Sequence, residues 1–592
     1  MLQPLRPKTR DHNKVSTPAK IAAPTSGWYV GENLAEAPPK TAFILQNAFP
    51  QLDYIRARRG SQAWATGMGS SVAIQTIMPY YNAGSSKMFA VGDGKIYDVS
   101  NTGAVGAALV SGLTNSYLEY AQFAGLGGSY IIAVNGADVV QTYDGSDWNK
   151  KYTITGNITS TSTTVTTLSA TTGLAAGQTI TGTGIPSGTV IVSVNAGAST
   201  LVMSQAATAT TSTLPVVVYQ SPPITTTTNA VFSNVSIFKN RAYFVEKNSL
   251  NVWYLGVLAI GGAATLFPMQ GIFRLGGTIV ATATWAIDST SGIYESFIVL
   301  TSEGEVAMYN GADPSSWTLA GLYKVSRPLG ERCLMKAGGD LAIMTEDGIV
   351  PMSKVQELDQ IALQNVAVTK PIAPAWRNAV LARLGLSGWQ LTMWPLESMG
   401  IVNLPKQNVG DTSQFVVNAR TGAWCSYLGW DANCFAVYED SLYFGTSDGR
   451  VMQGEVGAAD DGKNYTVSIF PSYSSLDGGA GRKQAIMVRP YLQTNVVFTP
   501  QITVKVDFDT QLPLQPSSIL PQSSGAVWDT AKWDLDLWPV TLNNQNYWIT
   551  ASGLGAEFSP VLQWTLSSAT LTPDMRLTRI DVLYEQATNL IG

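Results

Sequence analysis

Short apolar runs, each closed by a tight turn and answered by a second alternating run, recur along most of this chain. The pattern stands in SKMFAVGDGKIYDVS at Ser86–Ser100 and in GSYIIAVNGADVVQTYDGSDW at Gly128–Trp148. It returns as VSIFKNRAYFVEKNSLNVWYL at Val235–Leu255, ESFIVLTSEGEVAMYNG at Glu295–Gly311 and GDLAIMTEDGIVPMS at Gly339–Ser353. The last copy is CFAVYEDSLYFGTSDGRVMQGE at Cys434–Glu455. Asp-Gly suits the turns because a two-residue hairpin needs positive φ at its central positions, which Gly reaches without steric cost. Hairpins repeating at roughly 40–50 residues predict a β-propeller. The expected fold class is therefore mainly β, with a propeller of six or seven blades at its centre.

The pattern also divides the chain. Residues 1–59 read as an extended N-terminal arm, because Pro4, Pro7, Pro18, Pro24, Pro38 and Pro39 prevent long helices and no apolar period holds. Residues 60–151 and 219–456 carry the hairpins. Between them, residues 152–218 contain no Lys, Arg, Asp or Glu and are rich in Thr, Ser, Ala and Gly. Their Val/Ile/Leu alternation persists throughout, which predicts a small inserted β-domain in place of a Ser/Thr linker. After residue 457 longer alternating strands, such as Ile502–Gln511 and Thr578–Gln586, predict a separate C-terminal sheet or sandwich over 457–592. Five tryptophans fall there: Trp528, Trp533, Trp538, Trp548 and Trp564. They read as core and subunit packing. Helix is expected only at 354–366, with Val355, Leu358, Ile361 and Leu363 near one face, and weakly at Ala375–Leu384.

Composition narrows the function classes. Only 13% of residues are charged and the net charge is −5, so bulk electrostatics give no case for wrapping nucleic acid. The charge is uneven: Arg6, Lys8, Arg10, Lys14 and Lys20 face only Asp11 in the first twenty residues. Such an arm suits a flexible tail, or a segment that docks along a partner or on nucleic acid. Three cysteines, Cys333, Cys425 and Cys434, cannot make a disulfide framework. Cys425 and Cys434 are placed to face each other across a hairpin, but buried free thiols in a reducing compartment are the favoured reading. The uncharged stretch between Lys247 and Arg274 is broken by Gly261, Gly262 and Pro268, which suits buried strands and not a membrane helix.

The chemistry that remains is sparse. One histidine, His12, lies in the arm, which leaves no imidazole for a Ser-His-Asp or Cys-His site or a His-based metal centre. No phosphate-binding loop of the Gly-Lys-Ser/Thr type occurs. Glycoside hydrolysis stays chemically open because it needs only two carboxylates, although the Asp-Gly pairs at Tyr143–Trp148 and Thr446–Val451 read as turns. The acidic DTAKWDLDLW at Asp529–Trp538 lacks the residue order of a calcium loop. No catalytic set, cofactor site or metal site is expected, and the chain reads as a non-enzyme.

Two stretches resemble a known family. PTSGWYVGENLAEAPPKTAFILQNAFPQLDYIRARRGSQAWATG at Pro24–Gly67 is similar to the N-terminal signature of tail nozzle (hub) proteins of short-tailed bacteriophages, with Gln46, Asn47, Phe49, Pro50, Arg58, Arg59 and Gly60 in the family's positions. SLNVWYLGVLAIGGAATLFPMQGIFRLGG at Ser249–Gly277, with the following GEVAMYNGADPSSW, KVSRPLGERC and GGDLAIMTEDGIVPMS, is similar to their propeller body. The ending LTRIDVLYEQ is similar to their last strands, and residues 152–218 resemble a Thr/Gly-rich module inserted in many phage structural proteins. The resemblance implies a virion tail protein, assembled in the host bacterial cytoplasm as a homo-hexamer. It would sit below the adaptor ring of the head-to-tail connector, carry fibres or spikes, and extend and close the DNA channel, with genomic DNA passing without sequence-specific contact and no membrane insertion. The candidate docking residues for the neighbouring ring are Arg6, Lys8, Arg10 and Lys14. Two other classes stay open: a carbohydrate-binding or depolymerising propeller on the virion, and a fibre-attachment or receptor-binding protein.

Overall fold

A computed structural model describes residues 16–586, except 32, 126–127, 173, 175, 177, 187, 220–223, 290–291, 409–410, 480, 520–521, 524–541 and 568–571. Among the described residues, seven small groups of antiparallel strands follow one another around an axis. Their innermost strands are Ile74–Asn82, Glu119–Gly125, Phe232–Phe238, Ile279–Ser289, Leu334–Ala337, Gln390–Trp394 and Cys434–Tyr438, which begin blades 1 to 7 in that order. Each blade lies against the next, and blade 7 returns to blade 1. The fold is a closed seven-bladed propeller.

Sequence explains the blades locally. Middle strands are buried on both faces, so they read as continuous apolar runs: Ser85–Gly92 has its last five residues fully inside. The apolar clusters lie between consecutive blades. Met78, Phe89 and Ile131 pack between blades 1 and 2, and Phe238, Tyr243 and Phe297 between blades 3 and 4. The turns keep the expected geometry: Asp93 and Gly94 have φ of 52° and 64°, Lys239 and Asn240 of 45° and 58°, and Glu439 and Asp440 of 45° and 59°. The stretch between Lys247 and Arg274 forms strands Asn251–Tyr254, Gly262–Ala263 and Thr265–Pro268 of blade 3 and its surroundings. No described helix is long and apolar enough to cross a membrane.

The ring is closed by a strand from far away in sequence. Ser61–Thr66 runs antiparallel to Val451–Gly454, with Ser61 opposite Gly454 and Ala65 opposite Val451, as the outer strand of blade 7. Just before it, the segment read as an arm turns out to be built into sheets. Thr17–Ala22 pairs with Met575–Gln586 from Thr17 opposite Tyr584 to Ala22 opposite Arg579. Thr41–Gln46 joins Trp424–Leu428 of blade 6 to Tyr465–Pro471, which continues to Phe558–Leu566. Blade 6 and the C-terminal region therefore share one ten-stranded sheet. A second sheet, built on Lys483–Thr494 and Met575–Gln586, packs against its C-terminal part through Val488, Leu562 and Ile580.

Residues of the Pro24–Gly67 stretch form the joint between these parts. Arg58 is fully buried and holds Asp460 through two hydrogen bonds of 2.8 and 2.5 Å. It also donates to Asn47 Oδ1 at 2.8 Å and to the Leu428 carbonyl at 2.7 Å. Its guanidinium lies 4.0 Å from the Tyr465 ring centroid and 5.1 Å from that of Trp430. Asn47 answers by accepting from Leu428 N and donating to the Thr466 carbonyl. Arg56 binds Glu455 at 3.0 Å, whose other oxygen accepts from Tyr427 Oη at 2.9 Å. At Gly60 an added Cβ would stand 2.1 Å from the Ala459 carbonyl oxygen.

Residues 152–218 fall in two three-stranded sheets, Lys151–Ile158 with Thr211–Tyr219 and Ile180–Thr181, and Thr164–Val165 with Thr200–Met203 and Ile191–Asn195. Their core, with Ile154, Val165, Ile180, Leu201 and Val216, draws, among the described residues, on none outside the segment. The single helix expected over 354–366 is instead two, Met352–Val355 and Gln360–Val366, with Asp359 capping the second through the Ala362 amide at 2.8 Å. Ile361, assigned to the apolar face, is 79% exposed. The cap explains the break, since an Asp that satisfies a free amide starts a helix. A further helix covers Ala373–Ala382. All three cysteines are free and buried, and burial pushes the Cys434 thiol up to about 11. Cys425 lies in blade 6 opposite Val416, and Cys434 in blade 7 opposite Gly445.

Candidate functional site in the propeller bore

Innermost strands are edge strands, so their unpaired backbone groups must find partners elsewhere. Here polar side chains from the neighbouring blade supply them. Thr76 Oγ1 donates to the Ser116 carbonyl at 2.9 Å and accepts from Leu118 N at 3.0 Å, tying blade 1 to blade 2. Asn234 Oδ1 accepts from Thr282 N, and Thr284 Oγ1 donates to the Ile237 carbonyl, tying blade 3 to blade 4. Gln390 forms a pair of 2.8 Å bonds with the backbone of Phe435, tying blade 6 to blade 7.

One residue crosses the bore. Arg332 precedes the inner strand of blade 5, yet its guanidinium reaches the opposite side of the ring. Nε donates to Glu119 at 2.7 Å, one terminal nitrogen to the Gln75 carbonyl at 3.0 Å, and the other to Thr76 Oγ1 and the Leu118 carbonyl at 2.8 Å. The group stacks on Tyr117, 3.9 Å from the ring centroid. Blades 1, 2 and 5 are thereby strutted together across the axis.

Beside this strut lies a cavity of about 430 Å³, lined from six blades. Its walls carry Asn234, Ser236, Thr282 and Thr284, its apolar lining includes Ala121, Ala281 and Ala283, and its charged residues are Glu119, Glu331, Arg332 and Lys336. Burial raises the Glu119 carboxyl above its ordinary value, against the pull of Arg332. Burial, and then the charge of Glu119, push the half-buried Glu331 up to about 7, with Arg332 and Lys247 opposing. No hydrogen bond contributes to that balance at Glu331. Among the described residues, no group of three or more His, Cys, Asp or Glu gathers as a metal site.

Glu331 gives the fold a pH dependence. Its folded-state value lies above that of an unfolded glutamate, so its contribution is full below the unfolded value and is lost as pH rises through about 7. Glu331→Gln removes that loss. Between pH ~4 and pH ~8 the natural chain should lose about 2 kcal/mol more stability than the variant. Urea unfolding of both proteins across that range checks this, and a difference that stays flat with pH overturns it.

The docking candidates Arg6, Lys8, Arg10 and Lys14 lie outside the described residues, as do His12, Trp528, Trp533 and Trp538. Trp564 is buried beside Phe498, and Trp548 lies under Arg489. The Asp-Gly aspartates stand in turns: Asp144 accepts from the amides of Ser146 and Asp147, and Asp448 pairs with Arg450. Glu119, Glu331 and Arg332 were not singled out from the sequence. The available signal was charge at the start of apolar strands in a chain where charge is rare.

No family model and no curated protein matches this chain. Among solved structures it is similar to YCF48 from Cyanidioschyzon merolae, at 10% identity over 66% of this chain and 98% of that one, with a TM-score of 0.25. A putative 6-phosphogluconolactonase from Bacteroides fragilis matches at 12% identity, 68% and 91% coverage and a TM-score of 0.29. The phage phi92 endosialidase matches at 12% identity, 65% and 64% coverage and a TM-score of 0.22. At these scores the likenesses say nothing about activity.

Proposed function

We propose that this chain is a structural subunit of a short-tailed phage tail, the nozzle that extends and closes the DNA channel below the adaptor ring. The observation that supports it most is the frame itself. The propeller is closed by Ser61–Thr66, and blade 6 shares a sheet with the C-terminal region through Thr41–Gln46. A part built this way holds its shape under load and suits a ring made by repeating one interface. The bore of a single propeller is crossed by Arg332 and is no conduit, so the DNA channel belongs to the axis of the assembled ring. The basic residues Arg6, Lys8, Arg10 and Lys14 precede the strand Thr17–Ala22 on the C-terminal sheet and dock on the adaptor.

Electron microscopy of the purified chain mixed with portal–adaptor complexes tests this. Six copies on the tail axis, lost when residues 1–14 are removed, are expected. A chain that stays monomeric and unattached in that mixture overturns the reading. Glycoside hydrolysis, part of one of the two other classes left open, calls for two working carboxyl groups. The bore presents Glu119 and Glu331 together, but Arg332 holds Glu119 Oε1 at 2.7 Å in an ion pair, which ties that carboxyl group to the strut.

A further inference from the structure

We infer that the bore cavity is a binding pocket for a small neutral polyhydroxylated ligand, a sugar of one or two rings, which it holds without cleaving. The inference goes beyond the nozzle reading and does not depend on it.

Three features of the lining point to that chemistry. First, its charges balance once Glu331 is ionised, above about pH 7: Glu119 and Glu331 then face Arg332 and Lys336, so a ligand with a net charge gains nothing from the pocket as a whole. Second, its polar groups are of the kind that match hydroxyls. Thr282 Oγ1 donates to Asn234 Oδ1 at 3.3 Å and accepts from Ser236 Oγ at 2.7 Å. A hydroxyl has one donor and two acceptor lone pairs, so each keeps acceptor capacity toward the cavity. Glu331 adds two carboxyl oxygens that take no hydrogen bond from the described chain, and adjacent ligand hydroxyls can donate to both. Lys336 supplies a donor. Third, alanine at 121, 281 and 283 leaves the inner walls shallow, and the volume of about 430 Å³ falls in the range of small-molecule sites.

The strut sets the limits of the chemistry. All but one of the N–H groups of Arg332 are taken by Glu119, Gln75, Thr76 and Leu118, so the guanidinium is poorly placed to grip an anion. Glu119 is tied to the same strut through Oε1, so Glu331 is the one of the two carboxyl groups that no cation among the described residues holds.

Saturation-transfer NMR and calorimetry on the full chain, with neutral mono- and disaccharides, uronic acids and simple amines as separate arms, test the inference. Binding is expected in the neutral-sugar arm, with the sugar recovered intact. At pH ~8, where Glu331 is ionised, Glu331→Gln should weaken it by about tenfold through loss of a charged acceptor, and Lys336→Met should weaken it less. Thermal melts confirm that both variants fold. Absence of binding in the neutral-sugar arm overturns the inference. So does binding confined to amines or acids, or binding that both variants retain unchanged. None of these outcomes bears on the copy number or adaptor attachment that test the nozzle reading.

Discussion

Arg58→Ala is expected to destabilise the protein by about 4 kcal/mol, the largest loss from any single truncation considered, because it strands a buried carboxylate. Arg58 is fully buried, and Asp460 loses both of its charged hydrogen bonds when the guanidinium goes. Asn47 loses its Nε donor, the Leu428 carbonyl loses its Nη donor, and the rings of Tyr465 and Trp430 lose the cation packed against them. A double variant, Arg58→Met with Asp460→Asn, should recover part of the stability by removing the stranded charge. Guanidinium unfolding of the three proteins decides this. If the single variant unfolds with the natural chain, the joint is not held by this pair.

Gly449→Ala should cost about 3 kcal/mol, for a different reason: backbone meets backbone. Gly449 has φ of 77° and its added Cβ would lie 1.8 Å from the carbonyl oxygen of Gly69. No side-chain rotation relieves that contact, so the loop before Ile74 or the turn before Val451 must move. Both flank the strand pairing that closes the ring, Ser61–Thr66 on Val451–Gly454. Protection of the amides in Val451–Gly454 should fall first in hydrogen exchange, ahead of those in blades 3 and 4. Uniform loss of protection across all blades would contradict the local account.

The propeller was legible because six blades carry the same short-range signal. Asp93-Gly94, Lys239-Asn240 and Glu439-Asp440 each adopt the two positive φ values that a tight hairpin requires. Blade 6 escaped notice because its strands, Gln390–Trp394, Met399–Asn403, Ser413–Asn418 and Trp424–Leu428, are joined by longer loops, with Ser398 at φ 53° in place of an Asp-Gly pair. The arm was misjudged for a related reason. Proline excludes helix but permits edge strands, and Pro18 sits inside Thr17–Ala22 opposite Leu583. Which strand Thr41–Gln46 would join was not legible at all, since its partners lie near residues 426 and 470. The bore was hidden likewise. Glu119 and Arg332 are 213 positions apart, and only ring closure brings them to 2.7 Å.

That closure has a consequence during synthesis. Gln62 and Gln453 are 391 positions apart yet face each other in blade 7. As the chain leaves the ribosome, Ser61–Thr66 emerges early and waits, its edge unpaired, while blades 1 to 6 and the first two strands of blade 7 are translated behind it. Pairing of such distant segments is slow, and an open strand edge is a template for other chains. Nascent copies crowded on one message are therefore most exposed to mispairing in this interval, and the emergence of Val451–Gly454 ends it.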